Sequence, residues 1–448
     1  MEERELLAEA DARGLRYLEG TNTRRVFPSP EAIAALAAFD EPLPQAGLPA
    51  EETLALLDER GSPATTASNG PGYFGFVVGA TLPAAAAAER MVMAWDQCAS
   101  SFTNSPVADR IERVAGRWTL EALDLPRDSA VGFGTSATAC TLAALAAARR
   151  ELLTRAGWDI DNDGLLGAPE IKVVVSELVH ITIKKALRIL GFGLSRLIIA
   201  PVDSFGRVDV AQLPPLDGRT ILCLQAGEVN TGEFDPFAQL IPLAHEAGAW
   251  VHVDGAFGLW ARASSQAALT EGIELADSWT TDAHKWLNTP YDCAMVICRD
   301  PQVLAGAMNS DAVYMRASAD AQKNLTLEFS RRPRGIPVWA ALRSLGREGI
   351  GAMIDTHCAL ARVISEGLSA QGFEVLNRVV INQVLFRCAT DAQTEAVLAA
   401  AQASGSIWFG STRWQGRLAM RISVSSWRTE QQHVARLLNT LKTLRTGQ

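Results

Sequence analysis

Two short stretches decide the fold of this chain: VHVDGAFG at residues 251–258 and DAHKW at residues 282–286. Apolar residues lead into both stretches, so each is predicted to lie on a β-strand that ends in a turn. The first stretch delivers Asp254 and the second delivers Lys285. A lysine amine forms Schiff bases with aldehydes, and a buried aspartate keeps a pyridine nitrogen protonated so that the ring accepts electrons. The pair therefore predicts a pyridoxal 5'-phosphate (PLP) site.

Taken singly, both residues have plainer explanations. A buried aspartate is often a satisfied structural carboxylate, and a lone lysine is often a solvated surface charge. The combination favours the cofactor site, because the acid and the amine both follow strands and His284 directly precedes Lys285.

The same region resembles the active-site core of the group II PLP-dependent decarboxylases, the family of the aromatic-L-amino-acid and glutamate decarboxylases. Shorter matches continue from about residue 71 to residue 429. Within the core, the matching residues are His252, Asp254, Ala256, His284, Lys285 and Trp286, followed by Tyr291 and Asp292.

The resemblance implies an α/β protein of PLP fold-type I, similar to aspartate aminotransferase. Such a protein has a large domain with a mostly parallel seven-stranded sheet and a small C-terminal α/β domain. We predict a helical N-terminal arm for dimerisation over residues 1–72, a large PLP-binding domain over 73–337 and a small domain over 338–448. Apolar spacing also predicts helices over residues 83–104 and 106–123.

Composition favours a soluble enzyme over a binder of nucleic acid or membranes. The 448 residues carry a formal net charge of −9 with a pI near 5.3, whereas phosphate backbones and anionic lipids attract a basic face. The seven cysteines include no CxxC pair, and the acidic N-terminus lacks the order of an export signal. We therefore predict a cytoplasmic protein with reduced thiols.

The segment VGFGTSATACTL (131–142) is the second strong signal. An apolar strand runs through small residues into an Ala-rich helix, so free backbone N–H groups and the positive end of the helix point at an anion. The resemblance places Ser136, Ala137 and Thr138 on the PLP phosphate. The alternative is an ordinary capped helix.

Strand-then-helix units recur along the chain, which predicts a mostly parallel sheet with ligands at the carboxyl ends of its strands. By resemblance, His180 stacks on the pyridine ring. Thr231 belongs to a cofactor-binding turn in QAGEVNTG (225–232), in which Glu228 and Val229 depart from the family pattern. The polar residues expected near strand ends are residues 135–138, His180, Thr231, Asp254 and Lys285.

The resemblance adds cofactor contacts from Ala256, Asp282 and His284. The segment EFSRRPR (328–334) resembles a glutamate decarboxylase segment whose serine reaches the phosphate bound by the neighbouring subunit. Ser330 is therefore predicted to act in trans, in a homodimer with shared active sites. For the arginines of this segment, an interface or a surface charge cluster is the alternative.

Three residues are predicted to face an amino-acid substrate. Phe76 lies in GPGYFGF (70–76), which resembles the family's entry segment, although Gly70 stands where a histidine is usual and core packing is the alternative. Tyr314 introduces a polar stretch. Arg421 matches the fold's carboxylate-binding arginine, whose guanidinium forks onto the two oxygens. Its competitors are Arg413, Arg417 and Arg428.

The acidic segment DIDNDGLLGAPE (159–170) fits the pattern of a calcium-binding EF-hand loop. An EF-hand needs a helix on both sides, however, and a strand-like run follows Glu170, which Pro169 precedes. We predict a solvated acidic loop and no metal site.

The resemblance implies decarboxylation of an L-amino acid to an amine and CO₂. In this scheme Lys285 anchors PLP, Asp254 makes its ring an electron sink and His180 covers the ring. The same machinery would serve a retro-aldol lyase such as sphingosine-phosphate lyase, an aminotransferase or an aldehyde-forming oxidative decarboxylase. A catalytically silent binding protein is disfavoured, because it would need none of these three residues. The sequence does not identify the side chain of the amino-acid substrate.

One departure from the family pattern affects which product is expected. Aromatic-amino-acid decarboxylases carry a loop tyrosine that protonates the carbon after CO₂ has left. The four tyrosines of this chain are at 17, 73, 291 and 314, and residues 316–334 contain none. The proton would then come from the His284 and Lys285 pair or from Tyr314.

Overall fold

The computed structural model describes residues 2–309 and 320–446. The helices are α1 (Glu3–Glu19), α2 (Pro30–Ala34), α3 (Ala50–Leu56), α4 (Pro83–Trp95), α5 (Pro106–Ala122), α6 (Ala137–Arg155), α7 (Ile160–Asp163), α8 (Ile181–Ile189), α9 (Phe237–Glu246), α10 (Pro301–Met308), α11 (Gly335–Ala370), α12 (Asp391–Ser404) and α13 (Gln431–Thr446). The strands are β1 (Ala130–Gly134), β2 (Lys172–Ser176), β3 (Ile198–Ala200), β4 (Thr220–Gln225), β5 (Trp250–Asp254), β6 (Ser278–Asp282), β7 (Ala294–Cys298), β8 (Glu374–Val375), β9 (Gln383–Arg387), β10 (Gly410–Trp414) and β11 (Arg417–Ser423).

The larger sheet has seven strands in the order β1-β7-β6-β5-β4-β2-β3. Strand β7 is antiparallel to both of its neighbours, and the remaining pairs are parallel. The predicted mostly parallel seven-stranded sheet is confirmed. Strands β4 to β7 are buried along their whole length, which explains their near-continuous apolar sequences. Helix α6 packs on this sheet through small alanines, among them Ala144 and Ala148.

The direction of the strands brings the predicted functional segments to one edge. Strand β7 is antiparallel to β1 and to β6, so β1 runs in the same direction as β6, β5, β4 and β2. The carboxyl ends of these five strands therefore share one edge of the sheet. The residues at or shortly after those ends are 135–138, His180, Thr231, Asp254 and Lys285. Their predicted position near strand ends is confirmed.

The described chain forms two compact units. One comprises Thr81–Ala359 with Asn377–Gln383 and contains the seven-stranded sheet. The other comprises Met1–Ala80, Leu360–Leu376 and Val384–Gln448, and it carries a four-stranded sheet in the order β10-β11-β9-β8. The three-part division at residues 72 and 337 stays a prediction.

One helix boundary differs from expectation, and one long helix is interrupted at a glycine. Helix α4 ends at Trp95 because Asp96 adopts a left-handed conformation with φ 47°, so the predicted helix to residue 104 was too long. Helix α11 is interrupted at Gly346, where φ is 62° and ψ is 178°. That φ favours glycine, which lacks a Cβ.

The acidic segment at 159–170 uses its carboxylates within the protein. Asp159 Oδ1 accepts the backbone N–H groups of Asp161 and Asn162 at 3.1 and 3.2 Å. Asp161 pairs with Arg150 at 2.7 Å, and Glu170 pairs with Arg196. In the described part of the chain, no group of three or more acidic, cysteine or histidine side chains is placed to hold a metal ion. Nor does any described helix combine the length and apolar character of a membrane span.

Candidate active site

Asp282 joins the lysine stretch to the start of α6. It ends β6 and is 2% exposed. Its Oδ2 lies 2.9 Å from Lys285 Nζ, and its Oδ1 accepts the backbone N–H of Ala137 at 2.7 Å. Ser136 caps the same helix by accepting the N–H of Ala139. Asp282 thereby links the amine of Lys285 to the start of α6 and takes the N–H of Ala137.

His284 is fixed on three sides. Its Nδ1 accepts the backbone N–H of Cys293 at 3.1 Å, and its Nε2 lies 3.6 Å from Asp282 Oδ1. Its ring stacks on Tyr291 with 4.1 Å between ring centroids. Burial lowers the pKa of His284, and the charge of Lys285 lowers it further against the opposing effect of Asp282. A neutral imidazole whose Nδ1 is an acceptor carries its proton on Nε2.

Asp254 is the buried acid of the site. Its Oδ1 accepts the backbone N–H of Ala256 at 3.1 Å. Burial raises the pKa of the Asp254 carboxyl, whereas the nearby charges of His180 and Lys285 lower it. The two basic residues are thus within electrostatic reach of Asp254, although they come from different strand ends.

His180 begins α8 and is held by Thr182. Its Nδ1 lies 2.7 Å from Thr182 Oγ1 and accepts the N–H of Thr182 at 3.4 Å. The histidine is partly buried. This contact orients the ring from within its own helix turn.

Glu228, which departs from the family pattern, closes the turn after β4. Its carboxylate accepts the N–H and the hydroxyl of Thr231 at 2.8 and 3.0 Å, and it also accepts the N–H of Asn230. Burial raises the pKa of Glu228 while these bonds lower it. The hydroxyl proton of Thr231 is therefore engaged within the turn, and its role as a cofactor contact stays a prediction.

Ser330 is exposed, but the arginine that follows it is not on the surface. Arg331 is buried against Glu112, with N–O distances of 2.7 and 2.9 Å. It also donates to the carbonyls of Ala99 and Phe133 at 2.9 Å. For Arg331, the interpretation as a surface charge was wrong, since its guanidinium is buried and is held by one carboxylate and two backbone carbonyls.

Two of the three predicted substrate residues lie outside this unit. Phe76 and Arg421 belong to the other compact unit. Phe76 is 55% exposed with its ring 5.5 Å from Trp408, so plain core packing is excluded for it. Arg421 is nearly buried, and its charge opposes the burial that raises the pKa of Tyr73 to about 12. Tyr314 lies outside the described residues.

The donor set fits PLP. A buried carboxylate in Asp254 suits a pyridinium nitrogen, the amine of Lys285 suits an aldehyde, and the first turn of α6 suits a phosphate. Thr138 lies on that first turn. One residue near this set, Gln225, was missed by sequence reasoning, because its only signal was its place at the end of a strand. Tyr291 was expected near the site, but its contact with His284 needed the fold.

Known proteins match over most of the chain. The conserved domain of the pyridoxal-dependent decarboxylases matches residues 39–389. Aromatic-L-amino-acid decarboxylase of Sus scrofa is 27% identical over 447 residues, which cover 93% of this chain and 91% of that protein. Phenylacetaldehyde synthase of Arabidopsis thaliana is 26% identical over 367 residues, covering 75% and 73%. The crystal structure of Oryza sativa TDC with PLP and tryptamine has a TM-score of 0.91 at 24% identity, covering 99% and 97%.

Proposed function

Because this chain belongs to the pyridoxal-dependent decarboxylase family, as its motifs predicted, we propose that it converts an L-amino acid to the corresponding amine and CO₂. It is a PLP-dependent enzyme of fold-type I. When bound, PLP withdraws electrons from the α-carbon of an attached amino acid, so that the bond to the carboxylate can break. The observation that carries the proposal is the convergence of Lys285, Asp254 and His180 at one edge of the sheet.

Each residue has a role that follows from its surroundings. Lys285 Nζ is the amine that would hold the cofactor, and Asp282 keeps it beside α6. Asp254 would hold a proton on the pyridine nitrogen, since a buried carboxylate beside a cation is well placed for a charged pair. His180 would lie on the ring and exclude water from it. Ser136, Ala137 and Thr138 would hold the phosphate at the start of the helix, where the N–H of Ala137 donates to Asp282 in this structure.

The amine product requires a proton source. His284 carries its Nε2 proton on the side of Asp282, so it is engaged with a carboxylate. Lys285 Nζ lies 2.9 Å from Asp282 Oδ2 in the same cluster and is the amine that would hold the cofactor. We therefore assign the final proton transfer to Lys285. The likeness of EFSRRPR (328–334) to a segment of glutamate decarboxylases supports a simple decarboxylase over the oxidative type.

The second candidate is an aldehyde-forming oxidative decarboxylase. A phenylacetaldehyde synthase is among the relatives, and residues 316–334 contain no tyrosine to supply the usual proton. Both observations favour a reaction in which O₂ intercepts the carbon before it is protonated.

Product stoichiometry separates the candidates. The purified holoenzyme is incubated with each common L-amino acid while CO₂, amine, aldehyde, ammonia, peroxide and oxygen uptake are measured together. We expect equal amounts of amine and CO₂ without oxygen uptake. Aldehyde, ammonia and peroxide in place of amine would assign the oxidative reaction. Aldehyde without CO₂ would assign a retro-aldol lyase.

We also propose that the enzyme is a homodimer whose active sites are shared through Ser330. The exposure of Ser330 and the likeness of its segment support this. Mixing inactive Lys285→Ala with inactive Ser330→Glu should restore activity in hybrid dimers, each with one intact site. Neither variant should recover when it is dissociated and reassembled with itself. A fully active monomer would contradict the proposal.

A further inference from the structure

Gln225 places a buried amide at the end of β4. The residue is 5% exposed, and its Nε2 has no hydrogen-bond partner among the residues that the structure describes. Burying an N–H donor without an acceptor costs as much as losing a hydrogen bond, so such atoms are rare in native proteins. An unsatisfied donor at a cofactor site points to an acceptor on the ligand.

The amide lies on the same face of the sheet as Asp254. The two residues are register partners on adjacent parallel strands, and register partners project from one face. Cys223 and His252, each two residues earlier, are register partners on the same two strands and share this face.

The backbone of Gln225 is also fixed. Its N–H donates to Asp235 Oδ2 at 2.7 Å, and its carbonyl accepts the N–H of Asp235 at 3.2 Å. Asp235 is itself buried. The side chain of Gln225 therefore starts from a rigid position beside the acid of the site.

The order of the strands indicates which ligand atom the amide meets. In the sheet, β5 with Asp254 lies between β4 and β6, and β1 with the start of α6 lies beyond β6. On the pyridoxal ring, the phosphate arm and the phenolic oxygen lie on opposite sides of the line from the nitrogen to the aldehyde carbon. With the nitrogen at Asp254 and the phosphate at α6, the phenolic oxygen would lie on the β4 side. We infer that Gln225 Nε2 donates a hydrogen bond to the phenolic oxygen of PLP.

This bond would have two effects. A donor to a negatively charged oxygen forms one of the stronger hydrogen bonds in proteins, so it adds affinity for the cofactor. It also favours the deprotonated oxygen over the protonated one. The inference rests on PLP as the cofactor and not on the amine product, so the stoichiometry experiment and the test below can fail independently.

The test uses Gln225→Met, which keeps the length and volume of the side chain and removes the donor. The holoenzyme is dialysed against a series of PLP concentrations, and the pH titration of the bound cofactor is followed by its visible absorbance. We expect the dissociation constant of PLP to rise about 10- to 100-fold. We expect the absorbance titration to move to higher pH by about one unit, the equivalent of a tenfold change.

Thr281→Val is the matched control. Thr281 is buried on β6, and its Oγ1 also lacks a partner in the described part of the chain. It alternates with Thr280 and Asp282 and so faces the other side of the sheet. The Thr281→Val variant should leave both the dissociation constant of PLP and the absorbance titration unchanged. PLP affinity within twofold of the parent in Gln225→Met, or an absorbance titration that does not move, would overturn the inference, and so would an equal effect of Thr281→Val.

Discussion

The buried ion pair between Glu112 and Arg331 supports the segment that carries Ser330. Breaking this pair should lower the free energy of unfolding by an amount that follows from its burial. Both side chains are at most 1% exposed. The guanidinium donates twice to Glu112 and to two backbone carbonyls, and Glu112 Oε1 also accepts the N–H of Gly335 at 2.9 Å. Glu112→Ala would leave a buried cation with carbonyl acceptors alone. Breaking a buried pair in this way costs about 3–5 kcal/mol.

The neighbouring arginine supplies the control. Arg332 pairs with Glu89 but its side chain is 42% exposed, and exposed pairs contribute about 0–1 kcal/mol. The free energy of unfolding is measured by urea denaturation with tryptophan fluorescence for Glu112→Ala, Arg332→Ala and the double variant Glu112→Leu with Arg331→Met. The double variant should recover part of the loss, because it removes both buried charges. A loss in Glu112→Ala no larger than in Arg332→Ala would refute the reasoning.

Three further outcomes are expected. Borohydride reduction of the holoenzyme, followed by peptide mass spectrometry, should place PLP on Lys285; an adduct on Lys184 or Lys185 would contradict the assignment. Asp254→Ala should stay folded by circular dichroism yet lose about a hundredfold or more in kcat, and near-normal turnover would remove the proposed role of the acid. Burial lowers the pKa of His252 from 6.5 to about 3, so the folded value lies below the unfolded one, and the stability that depends on the neutral ring is lost as pH falls from 6.5 towards 3. His252→Gln should reduce the pH slope of the unfolding free energy in that window by about 1.4 kcal/mol per pH unit; identical slopes would show that the ring titrates normally.

Much of the site could be predicted from the sequence because its chemistry follows local rules. Asp254 and Lys285 each stand where an apolar strand ends, and parallel strands collect such ends at one edge. The start of α6 is predicted as an anion site because small residues follow an apolar strand and a helix begins there, and this stays a prediction. These inferences depend on the pattern of apolar residues and on the handedness of the chain. Both are properties of short stretches of sequence.

Contacts between stretches that are far apart in sequence needed the tertiary structure. The bond from Ala137 to Asp282, the burial of Arg331 against Glu112 and the place of Gln225 beside Asp254 all depend on which strands pair and in what register. Strands of similar apolar pattern can pair in many orders with similar local energy. The order is decided by the packing of the whole sheet and its helices, and so is the burial of each polar side chain, because both depend on neighbours that no short stretch contains.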